Sequence, residues 1–462
     1  MTEAATPSSP PGLFVRIKGG GMVVVPPSQR SVATYVLLEQ EDWFEKEVGF
    51  VRRLLQPGMA VLDIGAGYGA YTVAMARAIG PTGRLAAFEP EAGIAAYLRQ
   101  TIDGNAFGQV RLQHTGLVAS PTSEKASAST LDREHEASGL DKIDFVRIDA
   151  ERTALDIVAG GERFFSTQSP LVMFSARQGD NINTALLTAW RDQGYNLYRL
   201  IGPDTLLVPI GSGVPTDPFE INLFACKPDR AAALETAGLL AIEAKQPQGV
   251  VAGSGFSFWR KQVFAAAFDR GGMTDLRLVR PLDLYAFWRD ETRPPAQRYW
   301  ALTEAIRFLW DIVQSIEGCG TAHTTLLARL LFEGGQRERA LDQLEKMMNS
   351  ERGKLPEGPF WPVVPRYDAL KPGSDPGTWF AATLIEGFER LRAHSGCFAP
   401  QVPVDRLAWL SQTPFASPEM ERRRLLLANR FGARQAIVPA PVVAKAAPDN
   451  LNPELWAALQ GS

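Results

Sequence analysis

The sequence predicts an α/β protein: a mostly parallel, doubly wound sheet with an antiparallel edge, followed by a mainly α-helical region. Three observations carry this. The stretch Val61 to Thr72, VLDIGAGYGAYT, runs β-formers into alternating glycines and then into an alanine-rich run ending at Ile79, which reads as strand, glycine turn and helix. From there to Pro228, short apolar runs alternate with helical periods, and right-handed crossovers turn such alternation into a sheet covered on both faces. After Lys227-Pro228 the alternation stops.

Taken in order, residues 1–12 are small, polar and Pro-rich and are expected to be disordered. FVRIK and MVVV around Gly19 to Gly21 suggest a hairpin. Trp43 to Leu55 places Phe44, Val48, Val51 and Leu55 on one helical face before Pro57-Gly58. Strands are expected at 85–88, 110–114, 143–148 and 171–174, with helices at 90–104, 155–165 and 182–190 and a mostly loop stretch at 120–139. Three late β runs, at 195–201, 205–210 and 221–226, supply the antiparallel edge. This gives a first domain at 13–228.

Residues 229–435 form a helical domain, with helices at 230–244, 256–268, 297–316, 321–348, 379–393 and 419–430. The 321–348 segment turns at Gly334-Gly335 and is similar to half of a tetratricopeptide repeat. Trp300, Trp310, Trp361 and Trp379 are candidates to line a groove there. Residues 436–462 form a Pro/Ala-rich tail with a short final helix.

Composition narrows the function. A net charge of −3 gives no general affinity for nucleic acid or anionic lipid. Three scattered cysteines make neither a disulfide framework nor a metal site. No apolar run approaches a membrane span and the N-terminus lacks a signal-peptide pattern, so a cytoplasmic protein without membrane insertion is expected.

The chemistry centres on DxGxGxG, Asp63 to Gly69. Glycines remove Cβ atoms and permit positive φ, so a ligand can lie against the main chain at the strand's carboxyl end. A dinucleotide GxGxxG and a P-loop Lys-Ser/Thr are both missing. Twenty residues on, Glu89 ends the second strand, where one carboxylate can hold a ribose diol. These features resemble the S-adenosylmethionine pocket of class I methyltransferases, which have a Rossmann-like fold. On that resemblance Gly65, Gly67 and Gly69 form the cofactor floor, Asp63 accepts from the loop or the methionine amino group, and Glu89 takes the ribose. Asn105 and the Gly116-Leu117-Val118 turn are candidates for the adenine edge.

Residues 30–228 more narrowly resemble the FkbM-type methyltransferases, on the Pro57-Gly58 lead-in, the glycine stretch, PTGRLAAFEPE, Thr130-Leu131-Asp132, IDFVRIDAE and Asn222-Leu223. The resemblance implies an S-adenosylmethionine-dependent enzyme of the EC 2.1.1 class that O-methylates a sugar, a glycan or a natural-product small molecule. Two positions depart from the family pattern: Arg152 stands where Gly usually follows the Asp-x-Glu, and Ser175 stands near where the fifth strand usually ends in Glu.

Methyl transfer needs an aligned, desolvated nucleophile and at most one base. Asp149, at the end of the fourth strand, is the first candidate for that base, and Glu151 could share its proton, with Arg152 as a neutralising partner. No metal is expected, since two carboxylates alone bind one poorly. The rival expectation is a catalytically degenerate scaffold whose helical half binds a protein partner.

Overall fold

The computed structural model describes residues 10–430, apart from 121–127, 203–204, 212–216, 270, 272–274, 316–318, 351–354, 357 and 400–403. The expectations for residues 1–9 and for the 436–462 tail lie outside the described residues.

The chain opens on an antiparallel hairpin, β1 (Leu13–Arg16) and β2 (Met22–Val25). Two helices follow, α1 (Val32–Gln40) and α2 (Glu47–Leu54). Ser31 starts α1 by accepting from the Thr34 amide, and Ala33 through Gln40 are all buried. A helix buried on every side has no polar stripe, so no amphipathic period marks α1 in the sequence.

The sheet region continues with β3 (Ala60–Ile64), α3 (Ala70–Ile79), β4 (Arg84–Phe88), α4 (Ala92–Gly104) and β5 (Val110–Gln113). Two short parallel strands, β6 (Gly116–Leu117) and β7 (Ala128–Ser129), lead to α5 (Leu131–Ser138). The stretch expected to be mostly loop therefore holds a helix. Thr130 caps it by accepting from the Arg133 amide, and Leu131 is its one buried residue, which leaves no apolar period to read.

Next come β8 (Phe145–Ile148), α6 (Ala154–Ala159), α7 (Glu162–Thr167) and β9 (Leu171–Ser175). The single helix expected at 155–165 is two, parted at Gly160-Gly161; Gly160 lies so close to the chain that a Cβ would sit 2.2 Å from the Val118 oxygen. A small hairpin, β10 (Arg177–Gln178) and β11 (Asn181–Ile182), precedes α8 (Thr184–Asp192), β12 (Asn196–Ile201), β13 (Leu206–Pro209) and β14 (Asn222–Cys226).

The eight-stranded sheet has the order β13-β12-β14-β9-β8-β3-β4-β5. Pairing is parallel from β9 to β5, and the order reverses between β3 and β8, so a crevice opens at the carboxyl ends there. The antiparallel edge is β13, and a second antiparallel strand, β14, is inserted inboard between β9 and β12.

The helical half comprises α9 (Pro228–Thr236), α10 (Ser254–Arg260), α11 (Val279–Arg289), α12 (Pro295–Ser315), α13 (Thr321–Glu333), α14 (Arg337–Ser350), α15 (Pro376–Arg392), α16 (Asp405–Ser411) and α17 (Pro418–Arg430). The first two stop well short of the expected 244 and 268, and α11 and α16 are additional. The α13–α14 hairpin turns at Gly334-Gly335, with Ala340 and Leu344 fully buried. Trp361 and Trp379 are core residues rather than groove walls. No helix among the described residues is long and apolar enough to cross a membrane.

Buried ion pairs stitch the halves together. Glu39 of α1 accepts from Arg423 of α17 and from the Gly396 amide, while Arg422 donates to the Glu39 carbonyl. The Gly202 amide, after β12, donates to the Glu333 carbonyl at 2.6 Å. The Glu333 carboxylate is itself fully buried among Arg329, Tyr285 and Trp288 donors.

Candidate active site

The three glycines of the β3–α3 turn all have positive φ, at +79°, +58° and +96°, but they serve different ends. A Cβ on Gly65 would meet the Asp149 carbonyl oxygen at 2.0 Å, so this glycine lets β3 and β8 close up. On Gly69 it would strike Leu98 of α4 at 2.8 Å. At Gly67 it would meet nothing within 4 Å. Gly67 is thus the bare stretch of main chain open to a ligand.

Glu89, just past β4, is 6% exposed and reaches under the same turn. Its Oε2 accepts from the Gly67 amide and its Oε1 from the Glu91 amide, both at 2.9 Å. Burial pushes its carboxyl above the usual range, against the pull of those amides. Two of about four acceptor directions are used, which leaves room for a diol.

Asp63 faces inward. It has no exposure, and its oxygens take the Thr72 hydroxyl at 2.6 Å and Arg147 Nη1 at 2.8 Å. It shapes the turn from below and does not present itself to a ligand. Asn105 is also spent elsewhere. Its amide donates to the Met22 and Thr101 carbonyls and accepts from the Met22 amide, clamping the hairpin to the end of α4. The expected role at the adenine edge has no free group to carry it.

Asp149 and Glu151 are not brought together. Asp149 pairs with Arg147 Nη2 at 2.5 Å, and its side chain is 44% exposed at the rim. Glu151 turns away to accept from the Gly179 amide of the β10–β11 turn. The cation beside Asp149 is therefore Arg147 and not Arg152.

Two site residues had no assigned role in the sequence reading. Arg147, on β8, bridges Asp63 and Asp149 and lies 4.2 Å over the Tyr71 ring. Burial opposes its charge, but Asp149, Asp63 and Glu45 together raise its pKa. The sequence signal is an arginine inside the wholly buried strand FVRI. Glu45, from the loop before α2, accepts from the Tyr71 hydroxyl and from Asn222 Nδ2, both at 2.8 Å. Burial, then Asp149, pushes its carboxyl above the usual range. Within DWFEKE nothing separates it from a solvated helix start.

Asn222 is the cross-strand partner of Ser175. Ser175 leaves the end of β9 without a carboxylate, and Asn222 holds that of Glu45 beside it. Among the described residues no group of three His, Cys, Asp or Glu side chains could hold a metal ion.

A class I sheet order, an open glycine turn at the end of β3 and a buried acid beyond β4 define the methyltransferase class. Residues 42–116, which span this turn and acid, match the family model described as Protein-L-isoaspartate(D-aspartate) O-methyltransferase (PCMT). The chain is a methyltransferase enzyme and its cofactor is S-adenosylmethionine.

Among solved structures it is similar to precorrin-6y C5,15-methyltransferase from Geobacter metallireducens GS-15, with 18% identity over 39% of this chain and 88% of that one and a TM-score of 0.26. It is similar to an S-adenosylmethionine-dependent O-methyltransferase from Thermotoga maritima, with 16% identity, 47% and 78% coverage and a TM-score of 0.27. Methyltransferase FkbM from Methylobacillus flagellatus KT is similar at 17% identity, covering 39% of this chain and 50% of that one, with a TM-score of 0.26. No curated protein matches in sequence.

Proposed function

We propose that the chain is an FkbM-like O-methyltransferase acting on a hydroxyl of a small molecule or sugar. The observation that carries this is the rim cluster of Glu45, Tyr71, Arg147 and Asp149 beside the open turn at Gly67. Gly67 would supply bare backbone and Glu89 the acceptors for the ribose. Bound there, S-adenosylmethionine supplies a methyl carbon on a sulfonium, which leaves as the neutral thioether when oxygen attacks.

The protein's share is to align the acceptor oxygen and take its proton. Asp149, exposed at the rim and fixed by Arg147, orients the hydroxyl. Glu45, held above the usual carboxylate range and tied down by Tyr71 and Asn222, takes the proton. This reading moves the base from Asp149 and Glu151 to Glu45. It also answers the Ser175 departure, because a carboxylate arrives at the end of β9 from the opposite side.

The test is calorimetric titration of S-adenosylhomocysteine into wild type and Glu89→Ala. The expected result is saturable binding that the substitution weakens by about 1–3 kcal/mol, the cost of unpaired buried hydroxyls. Absence of binding in wild type would overturn the reading. Methyl transfer from labelled cofactor to small hydroxylated acceptors would separate an active enzyme from a degenerate scaffold.

A further inference from the structure

A cavity of about 530 Å³ lies away from the glycine turn. It opens in the seam between the two halves, walled by the loop before α2, the 217–221 segment and the facing ends of α14 and α15. Its size suits a small molecule. Glu45 is on its wall as well as in the rim cluster, so the chamber reaches the proposed base.

Arg337, the first residue of α14, stands on this wall in an unusual state. Its donors go to the Leu391 and Arg390 carbonyls at the end of α15, at 2.7 and 2.8 Å, and to Nδ1 of His394 at 2.7 Å. His394 can only be an acceptor there. Burial and the neighbouring Arg337 push its imidazole down to about 3, and its Nε2 faces the Phe219 carbonyl.

Among the described residues no carboxylate lies within ion-pair distance of Arg337, whereas Arg390 and Arg423 on the same wall are both paired. The longer-range acid, Asp217, is occupied by the amides of Phe219 and Glu338. A guanidinium has five donors, of which these contacts name three, and the group also lies 4.5 Å over the Phe219 ring. Burial draws Arg337 down to about 9, with Asp217 only partly offsetting it. A desolvated cation on a cavity wall, facing neutral acceptors, is stabilised by an anion, and its fork fits a carboxylate or a phosphate.

Of the acids on the same wall, Glu419 is held down to about 2 and pairs with Arg390, and Asp42 pairs with Arg52. Burial raises the Glu47 carboxyl to about 7, which reduces its charge near neutral pH, and burial raises the Glu220 carboxyl above its ordinary value as well. Glu220 Oε2 is buried without a hydrogen-bond partner among the described residues.

We infer that this chamber is the acceptor site and that it takes a hydroxylated anion, with a carboxylate or phosphate group held by Arg337 and a hydroxyl facing Glu45. The inference rests on the methyl-transfer reading.

The test titrates inorganic phosphate and, separately, malate into full-length wild type and Arg337→Gln, with S-adenosylhomocysteine titrated in parallel. One of the two anions is expected to bind wild type and to bind the variant at least tenfold more weakly, with S-adenosylhomocysteine affinity unchanged. Which one binds distinguishes phosphate from carboxylate. Because Arg337 also secures the end of α15, crystals of the wild type soaked in the same two salts give a reading without a variant: density against its guanidinium is expected. Wild type that binds S-adenosylhomocysteine but neither anion, or a folded variant that binds them equally well, would reduce Arg337 to a helix clasp and overturn the inference. Failure of S-adenosylhomocysteine to bind would instead bring down the methyl-transfer reading itself.

Discussion

Arg147 carries a charge through the centre of a strand whose other residues are apolar, and two acids depend on it. Replacing it by Met leaves Asp63 buried without its cation, and such half-broken pairs cost about 3–5 kcal/mol. Urea unfolding of Arg147→Met should show a loss of that order. The glycines make a sharper pair. Gly67→Ala meets no atom within 4 Å, so it should fold with a loss of about 1 kcal/mol yet bind S-adenosylhomocysteine poorly. Gly65→Ala must push against the Asp149 backbone and should destabilise the fold itself. Comparing melting and titration for the two variants separates packing from binding.

Glu45→Gln tests the base. Above the raised pKa of Glu45 the wild-type carboxylate can accept a proton, so kcat/KM should rise with pH through that value. The variant should be slow and lack that limb. At this scale the positions of the glycine turn after β3, of Glu89 past β4 and of Asp149 past β8 could be read from contiguous signals. Glu45 and Arg147 matter through partners 26 and 84 residues away, and no local pattern holds that pairing.

The elements most readily read were those bounded by glycine turns. The α13–α14 hairpin and α3 fall where their periods place them. By contrast, α1 is buried on every side and no glycine turn bounds it, so neither a helical period nor a turn signal marks it. Alongside its backbone contacts, α1 is gripped by the Glu39 carboxylate, which has no exposure and meets Arg423 at 2.9 Å. Glu39→Ala should leave that arginine uncompensated and loosen α17 before the sheet is affected. Hydrogen exchange should then rise first in residues 418–430, with β3 and β4 still protected. Uniform acceleration across the chain would contradict this order.

For the whole molecule, the seam makes stability depend on pH in two opposed ways. His394 is held near 3, below the ordinary imidazole value, so the unfolded chain binds the extra proton between about 3 and 6.5 and stability falls as pH drops through that window. Glu47 is held near 7, so the folded chain binds the extra proton between about 4.5 and 7 and stability falls as pH rises there. Glu47→Gln should remove the second slope, retaining up to about 3 kcal/mol more than wild type over that rise. Urea midpoints at pH 4.5 and 7.5 check it.

The clasp between α1 and α17 joins residues 384 positions apart. During synthesis the glycine turn and Glu89 emerge early, and that cradle waits only for β8, whose Arg147 pairs with Asp63 and whose end packs on Gly65. The chamber wall waits longer, because Arg337, His394 and Arg423 must all have left the ribosome before it closes. A nascent chain therefore acquires a cofactor floor long before an enclosed acceptor room, and a chain cut short before α17 would hold the methyl donor beside open water.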